Sequence, residues 1–354
     1  MWQAIVSFLN NVWPYLIAIV AFLFLIFIHE FGHFIAAKSL GVRVNEFAIG
    51  FGPTIFRKKG KETEYSLRLV PLGGFCAMEG EDETSTDEKA FCNKAAWRRF
   101  LIVIMGAVFN IIFGVVLIAV SFIPQTQFAT TKIAYFADTA TSNSVGGLEL
   151  NDEIVEIEGR NIYTVNDLAY NFTAVDDGKI NMTVIRNGQK VELKEVPFAT
   201  ELYELNGKNY NIITLDFKVY PEQKTFGSFV SQTGKTTLSY SQTVVYTLVD
   251  LIGGRYGISE ISGPVGVTAA LGEAAKTGLF DLLPMIALIT INLGIFNLFP
   301  IPALDGGRLV FILIEMIFRR PVPIKYEKWV HAAGLAVLLL FMAFVMLKDI
   351  WMLF

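Results

Sequence analysis

Apolar and polar positions alternate along this chain with two different periods. Four long runs, roughly residues 13–37, 99–123, 283–318 and 328–350, are almost free of charge. Each is long enough to cross a ~30 Å hydrocarbon core, which takes about 20 helical residues, so each predicts a transmembrane helix. Between the first two runs (38–98), alternation around Tyr65, Leu67 and Leu69 breaks at Pro71, Gly73 and Gly74. That pattern predicts short β structure with a sharp turn. From about 128 to 220 the period is again two. "DEIVEIEG" reads as a strand entering a turn, and "TVNDLAYNF" as a short helix capped by Thr164. "INMTVIRNGQKVELKEV" reads as two strands joined at Asn187-Gly188. About 90 residues suffice for a small independent β-rich domain. An amphipathic helix over 225–250 and a Gly-rich connection fill the remainder to 282.

Composition places this β-rich part in a membrane protein: 53% of the 354 residues are hydrophobic, 30 of them Phe. A net charge of −4 without a basic run argues against nucleic acid as partner. With only Cys76 and Cys92, no disulfide framework is expected, and both read as reduced thiols. The N-terminus lacks the positive region of a signal peptide, so the first run reads as a retained helix. Orientation follows from loop charge. Residues 1–14 hold no Lys or Arg, whereas Lys38 to Arg99 hold eleven and "RRPVPIKYEK" four more. Those two connections are expected in the cytosol, with both termini and residues 124–282 outside. The acidic stretch "EGEDETSTDEK" reads as a solvated loop with no specific role.

One polar cluster interrupts the first apolar run. In "IHEFGH", His29 and His33 stand at i and i+4, on one face of a helix, with Glu30 between them. Two imidazoles so placed can grip one Zn²⁺ and leave the glutamate free as a general base. The chain holds only three histidines, which makes a chance match improbable. A catalytic zinc needs a third protein ligand and an open position. Asp305 and His331 are the candidates. Asp305 is favoured, because "NLFPIPALDGG" breaks an apolar run at Pro300 and Pro302 and Gly306-Gly307 loosens it, whereas His331 sits among interfacial residues. Asn297 precedes the break and is a candidate for substrate binding or oxyanion stabilisation. Asn110, in "GAVFN", is either such a residue or an interhelical hydrogen bond.

These motifs resemble the site-2 protease family of intramembrane zinc metalloproteases, in particular the bacterial branch that cleaves anti-sigma factors. "HEFGH", "VPLGGFCAMEGE", a β-rich domain, "ISGPVG" and "NLGIFNLFPIPALDGGR" follow the family's order over nearly the whole chain. "GAVFN" departs from it, since relatives commonly carry Pro after the Gly. The resemblance implies a polytopic α-helical membrane protein of four transmembrane helices, with a membrane-associated β hairpin or loop at 63–80 and one extracytoplasmic PDZ domain over 128–220. It implies Zn²⁺ held by His29, His33 and Asp305, with Glu30 as catalytic base. The expected partners are the bilayer and single-span substrates, an anti-sigma factor or a remnant signal peptide, cut after a first extracytoplasmic cleavage. A β edge at Leu67, Leu69, Gly73 and Gly74 is expected to hold the unwound substrate strand. The zinc site is expected toward the cytosolic side of the plasma membrane. A membrane zinc transporter or metal sensor is the competing reading.

Overall fold

The computed structural model describes residues 2–172, 178–205, 208–254 and 263–351. Most of the Gly-rich connection expected after residue 250 lies outside the described residues. The chain forms two compact units, one of residues 1–121 with 244–354 and one of 122–243.

In the first unit, four helices are long and apolar enough to cross a membrane. They belong to α1 (Trp2–Ser39), α2 (Ala96–Ser121) and two later helices. Between α1 and α2 run β1 (Val44–Lys59) and β2 (Glu64–Met78), which pair antiparallel. Their register is folded back on itself. Residues 46–49 partner 74–77 on one side and 64–67 on the other, while Phe56 also partners Leu67. The two long strands thus act as four short ones, with 74–78 on one margin and 54–59 on the other.

A short helix α3 (Val165–Phe172) and α4 (Phe226–Ile252) come next along the chain. They are followed by α5 (Pro264–Thr277), α6 (Leu279–Leu298), α7 (Asp305–Phe318) and α8 (Ile324–Trp351). The third apolar run is therefore two helices, α6 and α7. The break has a local cause: Pro300 and Pro302 lack the N–H that helix continuation needs and force their predecessors toward extended backbone. Ala303 takes a positive φ of 78° within the break. Gly306 then serves closeness rather than looseness, since a Cβ there would lie 2.0 Å from the Phe299 carbonyl oxygen.

The second unit is β-rich, as the period-two pattern requires. Its strands are β3 (Gln127–Phe136), β4 (Glu153–Ile157), β5 (Arg160–Asn161), β6 (Lys179–Arg186), β7 (Gln189–Pro197), β8 (Thr200–Leu205), β9 (Lys208–Ile213) and β10 (Phe217–Gln223). One sheet runs β10-β3-β4-β6-β7, with β5 on β4, and β8 pairs with β9 alone. Asn187 and Gly188 both take positive φ between β6 and β7, the geometry a two-residue hairpin demands. Thr164 precedes α3, where Asp167 accepts the backbone N–H groups of Tyr163 and Thr164. Alternate residues Ile180, Met182 and Val184 of β6, with Ile154 and Ile157 on either side of an irregularity in β4, form the core with Leu168 and Phe172 of α3.

Candidate metal centre

His29 and His33 occupy successive turns near the end of α1, and both are buried. Their Nε2 atoms stand 3.3 Å apart. Asp305 opens α7 directly after the proline break, which swings its carboxylate toward them. Its Oδ2 lies 3.0 Å from His29 Nε2 and 3.2 Å from His33 Nε2. Yet this oxygen is shielded from solvent and accepts no hydrogen bond of proper geometry. Two imidazole nitrogens and a carboxylate oxygen that converge within 3.3 Å of one another form a donor set for a cation between them. Nitrogen and oxygen donors, three in number, are a donor set that zinc accepts with a position left open. Among the described residues this is the one cluster of three such groups close enough to hold a metal.

Helix α2 packs directly behind the histidines. His33 Nδ1 donates to the Ile102 carbonyl at 2.9 Å, which leaves its Nε2 unprotonated and free to bind. Gly106 makes this approach possible, because a Cβ there would lie 2.3 Å from His33 Nε2. Asn110, fully buried, places its carboxamide 3.2 Å from His29 Nδ1, on the far side of that ring from Asp305. Asn297, on α6, instead reaches to 3.4 Å from His29 Nε2, the metal-facing nitrogen. His331 is elsewhere. Its Nδ1 accepts the Ala303 N–H at 3.0 Å, so it braces the break rather than joining the donors.

Glu30 shares with His29, His33 and Asp305 a cavity of about 490 Å³ whose wall includes Phe75 to Gly80. The margin strand 74–78 is thus the β segment beside the site, and among the described residues it is paired on one side only. Leu67 and Leu69 do not line this cavity, and Leu67 has strand partners on both sides, Ile49 and Phe56. The expected edge is therefore displaced by several residues. Gly74 does approach the site, its α-carbon facing the Glu30 side chain, while Gly73 packs against the Phe51 ring. Sequence reasoning also missed the acidic loop. Glu81 and Asp82 pair with Arg308, three residues after Asp305, so this stretch is tied to α7 and lines the cavity. The signal was present as "DGGR" opposite "EGED", but pairing across 226 positions leaves no local trace.

Four apolar helices of membrane-spanning length thus accompany a two-histidine, one-aspartate cluster that fits a metal, with Glu30 in the same cavity. Residues 17–341 match the description Peptidase family M50. A Fusobacterium nucleatum protein named as a candidate zinc metalloprotease is 31% identical over 96% of this chain and 99% of its own length. A Clostridium acetobutylicum protein with the same kind of name is 34% identical over 97% of this chain and 98% of its own. The zinc metalloprotease RasP of Geobacillus kaustophilus is 26% identical over 94% of this chain and 96% of its own. The chain belongs to peptidase family M50, the site-2 protease family of zinc-dependent metallopeptidases, and is a multi-pass membrane protein.

Proposed function

We propose that this chain hydrolyses a peptide bond within or near the transmembrane segment of a single-span membrane protein, already shortened by an extracytoplasmic cut. An anti-sigma factor or a remnant signal peptide is a substrate of that class. The observation that carries this reading is the convergence of His29, His33 and Asp305 on one point, with Glu30 in the same cavity. Zinc bound there supplies Lewis acidity toward the scissile carbonyl and eases deprotonation of water.

The chain's own groups do the rest. Glu30 takes a proton from the attacking water as its oxygen adds to the carbonyl carbon, then delivers that proton to the departing amide nitrogen. Asn297, beside the metal-facing nitrogen of His29, is placed to donate to the carbonyl oxygen as it gains charge. The margin strand 74–78 offers backbone groups to an unwound substrate, which must be extended before its peptide bond is reachable. Water enters past the charged lining of Glu79, Glu81, Asp82 and Arg308.

Loop charge supports a cytosolic position for the β1–β2 hairpin and extracytoplasmic positions for both termini and the β-rich unit. That unit, read as a single PDZ-like domain, restricts substrates by bulk. A transporter would be expected to offer several donor sets along a path, and the described residues contain one. The deciding experiment is Glu30→Gln in reconstituted membranes. Zinc content stays at that of the parent, while cleavage of a trimmed single-span substrate falls by about 10²–10⁴-fold, the usual worth of a general base. Loss of zinc from this variant, or undiminished cleavage, would overturn the division of roles.

A further inference from the structure

We infer that Asn110 is a positioning residue for the metal centre, accepting a hydrogen bond from His29 Nδ1 and thereby fixing which nitrogen of that ring meets the cation. This rests on the metal-site reading above.

The geometry comes from one face of α2. Ile102, Gly106 and Asn110 follow one another at intervals of four, so all three point the same way. The Ile102 carbonyl takes the Nδ1 proton of His33, and Gly106 lets the helix close on both rings. The Asn110 amide nitrogen stands 3.2 Å from the equivalent nitrogen of His29, the residue is wholly buried and its Oδ1 is left without a partner; a flip of the carboxamide exchanges the two atoms. A neutral imidazole carries one proton, and the nitrogen that holds a metal must be the other one. His29 Nε2 is the atom that converges with His33 and Asp305, so the proton belongs on Nδ1. The group facing it must then accept, which only the carboxamide oxygen can do. With the amide nitrogen turned to the ring, the oxygen is buried without a partner and the proton is forced onto Nε2, against the metal. Oxygen and nitrogen of a carboxamide have the same shape, so chemistry decides the orientation. Outer partners of this kind typically change metal affinity 10- to 100-fold.

His29 thus gets its acceptor from a side chain, where His33 uses backbone. That makes the contact open to substitution. The experiment is competition for zinc between a chelator and the full chain in detergent, with unfolding of the metal-free forms checked in parallel. Asn110→Leu and the smaller Asn110→Ala should each weaken zinc binding about 10- to 100-fold. Asn110→Asp keeps an acceptor in place and should restore affinity to within a few-fold of the parent. A merely structural role would not distinguish Asp from Leu in this way. If neither Leu nor Ala weakens zinc binding, or if Asp is no better than they are, the positioning role is wrong. Asp305→Ala serves as the reference. Should it bind zinc as the parent does, the metal-site reading itself fails, independently of Asn110.

Discussion

Three buried carboxylates of the β-rich unit, and Asp349 of the helical unit with its bonds from the Gly263 and Gly266 N–H groups, are treated in the opposite way to Asp305. In the β-rich unit, Asp152 receives two bonds from Arg186 and one from the Glu149 N–H, at 2.8–2.9 Å. Asp216 receives the N–H groups of Thr141 and Ser142 and the Ser142 hydroxyl. Asp167 is bonded by backbone at Tyr163 and Thr164 and by the Ser239 hydroxyl. In the helical unit, Asp305 Oδ2 is as secluded but takes no hydrogen bond, although two imidazole nitrogens lie within 3.2 Å. A buried charge without compensation costs several kcal/mol, so such an arrangement persists only where something else supplies the compensation. Saturated carboxylates hold a fold. An open one, between two nitrogens, fits a cation.

The contrast breaks if the two classes respond alike to truncation. Asp305→Ala should abolish zinc binding and proteolysis together, the largest effect available. It should leave the metal-free chain no less stable than the parent within about 1 kcal/mol, since it removes an uncompensated buried group. Metal analysis, a cleavage assay and unfolding of the apo form check the three parts. Equal destabilisation of the apo form would place Asp305 with the structural carboxylates.

Asp152→Ala should do the reverse. Arg186 keeps Glu149 and the Gly147 carbonyl but loses its two bonds to Asp152, and the Glu149 N–H loses its acceptor, at an expected cost of about 1–3 kcal/mol. Hydrogen exchange in β4 and β6 should accelerate accordingly, with zinc content unchanged. Protected strands in this variant would show that saturation contributes little there.

A third measurement sharpens the comparison within the helical unit, between the margin strand and the sheet interior. Ala77→Pro removes an N–H from the strand beside Glu30. Cleavage of intact helical substrates should slow about tenfold, the worth of one or two backbone hydrogen bonds, and less for substrates already loosened by helix breakers. Leu67→Pro, doubly paired, should instead impair both classes equally by damaging the sheet. Identical substrate profiles for the two variants would remove the edge-pairing idea.

The smallest effect concerns an exposed carboxylate at the hairpin tip. Hydrogen bonds from Lys38 and Lys89 hold Glu62 down to about 2. A carboxylate lowered on folding stabilises fully above its unfolded value of about 4.5 and loses that contribution as pH falls through the folded value. Pepsin nicking of the 60–63 turn should therefore rise as pH drops from about 4.5 toward 2, and Glu62→Gln should be nicked readily throughout. A flat parent profile would show that these solvated pairs add nothing, the common fate of surface ion pairs.

Much of this was legible in the chain itself, because the signals are local. Apolar runs of membrane length, His29 and His33 one turn apart, the proline break before Asp305 and the Asn187-Gly188 turn all lie within short windows. Where expectation and structure part, the cause is pairing between distant segments. The alternation at Leu67 and Leu69 was visible, but 46–49 claims that strand on one side and Phe56 on the other, which moves the open margin to 74–78. The acidic loop read as idle solvated charge until Arg308 was placed against it.

The sequence by itself determined what the elements are and which residue types the chemistry uses. Backbone periodicity and the i, i+4 spacing of a helix are short-range properties, set by steric and hydrogen-bonding rules within a few residues. Only the tertiary structure decided which atoms meet. Asp305 reaches His29 and His33 across more than 270 positions, Asn110 stands against His29 Nδ1, and His331 braces the break instead of joining the donors. Those encounters depend on how closely α1, α2 and α7 can pack. Gly106 against the imidazoles permits that closeness, and its partners lie more than 70 positions away along the chain.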